Sequence, residues 1–278
     1  MTEKLPIDMP TIAVGEPLKV AMAGFPRSGS HTLAYALESL GFRTCHGQEI
    51  GRNVLGTHGA LASALQDNDI DAILRETSTL RCNATLELHA IFWQELADAS
   101  PDTKFIVLLR DFDSWFDSVV AFLNGMAPLY RYPLRFVPFF SRNFDMATGL
   151  ARYRDGMTYE GAVHYLQNPA TEYHTNLLRA SHSQFHELIL ERIAKEPERF
   201  LALSLTDGFP PLCDFLQIAW EDCPKVDFPR LGDRTAVRTV GRFLRILEIS
   251  LYVLPILLLY SAWKMMKRAK TFGKVKIG

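Results

Sequence analysis

The stretch from Leu18 to Gly41, LKVAMAGFPRSGSHTLAYALESLG, constrains the fold more than any other part of the chain. Val20 to Ala23 is a short apolar run of the kind that forms a buried parallel strand. A tight turn follows, from Gly24 to Thr32, with glycines at 24 and 29. Leu33, Ala36, Leu37 and Leu40 then recur at helical spacing, and Gly41 supplies a stop. Strand, glycine-bearing turn and helix start aim backbone N–H groups and the positive end of a helix dipole at one spot, which suits phosphate or sulfate. The plain alternative is a glycine turn that binds nothing.

The spacing Gly24-x4-Gly29 matches the first half of a nucleotide-triphosphate P-loop, but Ser30 and His31 stand where Lys and Ser/Thr would reach phosphate and magnesium. The cation lies upstream, at Arg27. A second motif begins at the end of the apolar segment Lys104 to Leu109. Arg110 follows that strand, and Ser118 lies eight positions on, in the next helix. Taken alone, these are a surface arginine and a solvated helical serine. Taken with the first loop, they form a second anion clamp at another strand-to-helix turn.

The remaining segments fit an α/β chain. Phe42 to His46, Ile70 to Arg75 and Phe200 to Leu205 read as further strands. Residues 57 to 67, 86 to 99 and 169 to 196 read as helices. Such alternation implies a three-layer sandwich: a parallel sheet covered on both faces, with ligands at the carboxyl ends of the strands. His46, Glu76 and Arg110 fall at such ends, together with the first loop. Residues 125 to 156, rich in proline, aromatics and arginine, look too irregular for a sheet element; they form either an acceptor-binding lid or a packed crossover. His182 and His186 lie four apart on one helix face, without the glutamate of a zinc-protease helix, so a solvated or capping role is expected.

Pro26-Arg27-Ser28-Gly29-Ser30-His31-Thr32 resembles the phosphosulfate loop of the sulfotransferases, and Arg110-x7-Ser118 resembles their 3′-phosphate clamp. Trp115, the helix Leu212-Cys213-Asp214-Phe215-Leu216 and the turn Phe228-Pro229 are similar to one branch of that family. The resemblance covers about residues 18 to 232. It implies 3′-phosphoadenylyl sulfate (PAPS) as donor and no metal. Arg27, Ser28, Gly29, Ser30, His31 and Thr32 would hold the 5′-phosphosulfate, and Arg110 and Ser118 the 3′-phosphate. The Arg-Lys-Gly…Gly-Asp-Trp segment of cytosolic steroid and phenol sulfotransferases is missing, so no third donor contact is placed. The acceptor would be a hydroxyl or amine of a small molecule, lipid or sugar. A general base would come from Glu76 or His46, with His31 a distant third, although a salt bridge of Glu76 to Arg75 or Arg81, or a packed His46, accounts for the same residues. A P-loop kinase and a non-catalytic scaffold of the same fold remain the rival readings.

A formal net charge of −1 argues against a nucleic-acid partner. Cys45, Cys82, Cys213 and Cys223 have no metal-like spacing, and reduced thiols are expected. The N-terminal residues 1 to 17 read as a lead-in without a signal-peptide core, followed by an α/β domain over 18 to 240. Residues 243 to 263 differ in kind. Ile249 to Trp263 carries no charge, Pro255 sits within it, aromatics suit interface positions, and both flanks are basic. A membrane anchor is expected, with the domain on the cytosolic side, the sequon Asn83-Ala84-Thr85 unglycosylated, and residues 264 to 278 as a basic tail. A monotopic helix is the standing alternative.

Overall fold

A computed structural model describes residues 18–45, 69, 82–228 and 234–274. Five parallel strands lie in the order β2-β3-β1-β4-β5: β1 Val20–Ala23, β2 Thr44–Cys45, β3 Ala84–Thr85, β4 Lys104–Leu108 and β5 Phe200–Leu203. β1 is central and wholly buried, pairing Val20 with Ala84 on one side and with Lys104 on the other. Its neighbour β4 pairs Phe105 with Phe200 of β5.

Side chains alternate across this sheet, as a period of two requires. Val20, Met22, Ile106 and Leu108 pack on one face against Leu33 and Leu37 of α1 (Ser30–Ser39) and Leu212 of α7 (Phe209–Leu216). Ala21, Ala23, Phe105 and Val107 pack on the other against Leu96 of α2 (Trp93–Ala99) and Ile189 of α6 (Glu172–Lys195). The three-layer α/β architecture expected from the sequence is therefore present. Leu37 is fully buried between α1 and the sheet, and truncating such a residue to alanine costs about 2–5 kcal/mol.

A further apolar cluster is centred on Phe25, just beyond the end of β1. Trp115 and Val119 of α3 (Phe112–Met126), Phe144 of α4 (Pro138–Asp155) and Tyr165 of α5 (Tyr159–Gln167) close around that ring. Residues 125 to 156 thus form structure more regular than expected. Two 3-10 turns, Ala127–Tyr130 and Leu134–Phe136, lead into an 18-residue helix. Pro138 occupies the first turn of α4, where its missing N–H costs no helical bond. Gly156 ends the helix in the left-handed region at φ 62°.

Several other expectations need correction. All four cysteines are paired, Cys45 with Cys82 and Cys213 with Cys223, and none is free. β3, between β2 and β1, begins two residues after Cys82. The strand expected over 70 to 75 and the helix over 57 to 67 lie outside the described residues. Asn83 of the sequon is buried, its Oδ1 accepting the Arg43 N–H at 2.8 Å, so its carboxamide belongs to the sheet edge.

The C-terminal helix α8 runs Arg234–Lys274, well beyond 243 to 263, so the boundary placed at 240 falls inside a helix. Within its segment Val237–Met266 the most apolar 18-residue stretch has a mean hydropathy of 1.9, and only 6% of it is buried. Near its start it crosses α3 at two glycines. A Cβ on Gly241 would lie 2.8 Å from the Gly125 carbonyl oxygen, and one on Gly125 would lie 2.7 Å from Val237 Cγ1. Small residues are what allow two backbones this close.

Candidate active site

The turn after β1 is held in a conformation few sequences tolerate. Gly24, Arg27 and Gly29 have φ of 143°, 74° and 115°. For arginine that backbone costs about 1–2 kcal/mol, so neighbouring contacts must hold it. Arg110 Nη1 donates to the Arg27 carbonyl at 2.8 Å, and Trp115 Nε1 donates to the Pro26 carbonyl at 2.9 Å. The Gly24 N–H donates to the Ala90 carbonyl at 3.1 Å. A side chain at 29 would also meet Leu205, whose Cδ1 would stand 2.5 Å from the added Cβ.

α1 opens at Ser30 with no acidic residue in its first turn, so no carboxylate there offsets the positive end of its dipole. Ser28, Ser30 and Thr32 are buried, and His31 is half-buried. The Arg27 guanidinium lies over the Phe122 ring at 5.2 Å. Its Nε is buried with no hydrogen-bond partner among the described residues. A buried, unsatisfied donor costs about 1–3 kcal/mol until a partner arrives.

β4 is hydrogen-bonded to β1, so the two motifs singled out in the sequence emerge side by side. Arg110 follows β4 within two residues. Asp111 caps α3, its side chain accepting the Ser114 N–H at 2.8 Å. The hydrogen bonds from Ser114, helped by the charge of Arg110, hold the Asp111 carboxyl below the ordinary range. Ser118 is half-buried two turns into α3. The contact from Arg110 to the Arg27 carbonyl joins the two motifs directly.

Behind the loop stands a platform that no spacing in the sequence announced. Phe25 lies 5.1 Å from Trp115 and stacks on His182 at 5.7 Å, and Phe112 meets His182 edge-on at 5.6 Å. The expected solvated role for His182 is therefore wrong. It is buried among aromatic rings, with the His186 ring 4.3 Å away. Burial, then the neighbouring His186, pushes the His182 pKa down, while its hydrogen bond to the Arg110 backbone works the other way. Arg154 sits over Phe25 at 5.4 Å and over Trp115 at 5.9 Å. Its Nε donates to Asp155 Oδ1 at 2.7 Å, and Nη2 pairs with Oδ2. Burial opposes the Arg154 charge, but Asp155 more than compensates and keeps the guanidinium ionised.

His46 and Glu76 lie outside the described residues. A cavity of about 450 Å³ opens between α2 and α6, lined by Trp93, Glu95, Asp98, Glu191, Arg192 and Lys195. None of these residues belongs to the loop or the clamp, so the cavity is separate from the site described above. Among the described residues no group of three or more His, Cys, Asp or Glu is placed to hold a metal ion.

The family described as sulfotransferase domain matches residues 19–237, a span containing the five described strands, the loop, the clamp and α1 to α7. The chain belongs to that family. No curated protein matches it. For this sulfotransferase domain, the glycine-bearing turn, the arginine after β4 and the positive helix start occupy the carboxyl ends of adjacent central strands. That is where open α/β sheets place their ligands.

Proposed function

We propose that this sulfotransferase takes its sulfuryl group from PAPS and passes it to a hydroxyl or amine of a small-molecule, lipid or sugar acceptor. The observation that carries the reading is the hydrogen bond from Arg110 to the Arg27 carbonyl, which fixes two anion-seeking motifs against each other. The residues fit such a donor. Arg27 Nε is buried with no hydrogen-bond partner among the described residues, and the first turn of α1 has no carboxylate. Arg27 and the loop from Ser28 to Thr32 hold the 5′-phosphosulfate, and Arg110 and Ser118 hold the 3′-phosphate.

The donor supplies an activated sulfuryl group, and the chain supplies position and charge. A guanidinium stays protonated at any ordinary pH, so Arg27 acts by electrostatics and directed hydrogen bonds, not by proton transfer. Glu76 or His46 takes the acceptor proton. α8 anchors the protein to a membrane. The two disulfides favour an oxidising compartment for the domain, against the cytosolic orientation expected from the sequence.

Titration calorimetry on the full chain in detergent tests the donor. The 3′-phosphoadenosine 5′-phosphate product should bind more tightly than ATP with magnesium, and radiolabelled PAPS should pass its sulfate to an acceptor fraction. Tighter binding of magnesium ATP would overturn the assignment in favour of a kinase.

A further inference from the structure

α8 is not a free tail. It is fixed to the domain at the Gly125–Gly241 crossing, at the buried Leu244, and at Tyr252, whose hydroxyl donates to the Tyr132 carbonyl at 2.8 Å. The Tyr132 and Tyr252 rings lie 5.8 Å apart. Beyond Leu244 most of the apolar side chains of α8 are exposed, from Ile246 to Met266. At about 1.5 Å per residue that run is about 30 Å long, the thickness of a hydrocarbon core. Tyr252 lies within this run, so a helix that carries it into the bilayer takes the attached Tyr132 with it.

From this placement we infer that the sulfotransferase domain itself docks on the lipid bilayer, through the knuckle Tyr132–Phe136 beside α8. This inference rests on the reading of α8 as a membrane anchor. Tyr132 and Phe136 are 63% and 64% exposed, and their rings, 6.0 Å apart, continue through Tyr252 into the exposed apolar surface of α8, one contiguous patch. Arg135 stacks over the Phe136 ring at 4.8 Å, and Arg131 is exposed next to Tyr132. On α8, Arg242 and Arg245 are exposed just before the exposed apolar run that starts at Ile246. Aromatic rings beside guanidinium groups are the composition of a headgroup layer, with the cations drawn to anionic lipid. The knuckle leads into α4, whose Phe144 packs in the same cluster as Phe25 and Trp115 behind the donor loop. An amphiphilic acceptor lying in the membrane surface would reach the site along that wall.

The test is made on the full chain reconstituted in vesicles of neutral and anionic phospholipid. Single cysteines at exposed positions (Phe136→Cys, Leu258→Cys and Trp220→Cys) carry a nitroxide label, the native cysteines being paired. Docking requires labels at 136 and 258 to become accessible to oxygen and shielded from an aqueous nickel reagent, with the label at 220 unchanged. A label at 258 in the hydrocarbon with one at 136 still in water would overturn the docking and leave the anchor. Shielding of 136 from both reagents would mean a protein partner or a second copy, and would equally overturn it. If 258 also stays in water, the anchor reading itself fails.

Discussion

Replacing Arg110 tests the core of the site, because that side chain ties the Arg27 carbonyl at 2.8 Å and, in the proposed function, also holds the 3′-phosphate. A charge-assisted contact to phosphate is worth about 1.5–3 kcal/mol, and the tie to the strained loop about 1 kcal/mol. Arg110→Ala should therefore weaken binding of 3′-phosphoadenosine 5′-phosphate by roughly 10²- to 10³-fold. AMP lacks the 3′-phosphate and should lose only the loop contribution, roughly 5-fold. Arg110→Lys keeps the charge but presents a single ammonium in place of a planar fork, so it cannot serve both partners in the same geometry. Its affinity should fall between the two. Calorimetric titration of both nucleotides against the three proteins separates these outcomes. An alanine variant that binds both nucleotides as the wild type does, or that loses both equally, would refute the assignment to the 3′-phosphate.

Three other outcomes are expected. Asp155→Asn leaves the Arg154 guanidinium buried without its counter-charge and should cost about 3–5 kcal/mol in urea denaturation, with tryptophan fluorescence reporting the loosened platform. His174, His182 and His186 have pKa values lowered by burial, so the unfolded chain binds protons first as the pH drops. Stability should thus be full above the unfolded value of 6.5 and fall below it, and His182→Phe, which keeps an aromatic ring in the stack, should flatten that fall in urea titrations at several pH values. Cysteines 45, 82, 213 and 223 should resist alkylation until a reductant is added, as read by intact mass, and replacing both Cys45 and Cys82 by alanine should cost about 2–4 kcal/mol.

What the sequence disclosed follows from range. β1, its loop and α1 are contiguous, so apolar spacing and glycine placement suffice to locate them. Arg110 was visible because a strong strand points to it. The helix at Pro138–Asp155 was missed because its apolar pattern is weak, although proline at its start and glycine just past its end are readable signals. The two-residue β3 is too short for any periodicity to register; it exists because Arg43 and Asn83 bring its backbone alongside β1 and β2. The disulfide pairing and the placement of the neighbouring Arg154 and Asp155 against Phe25 depend on folding that brings separate segments together, which no local spacing encodes. Nor does composition tell that a histidine four residues from another will lie under a tryptophan.

The bond between Cys45 and Cys82 has a bearing on how the chemistry is housed. It joins β2 to the start of β3, so the whole intervening stretch, which carries both His46 and Glu76, is a closed ring hung from one edge of the sheet. A protease that nicks this ring releases nothing: the two fragments stay joined through sulfur, and the cut shows only on a reducing gel. Under the proposed function, the residue that removes the acceptor proton therefore sits on chain pinned to the sheet at both of its ends.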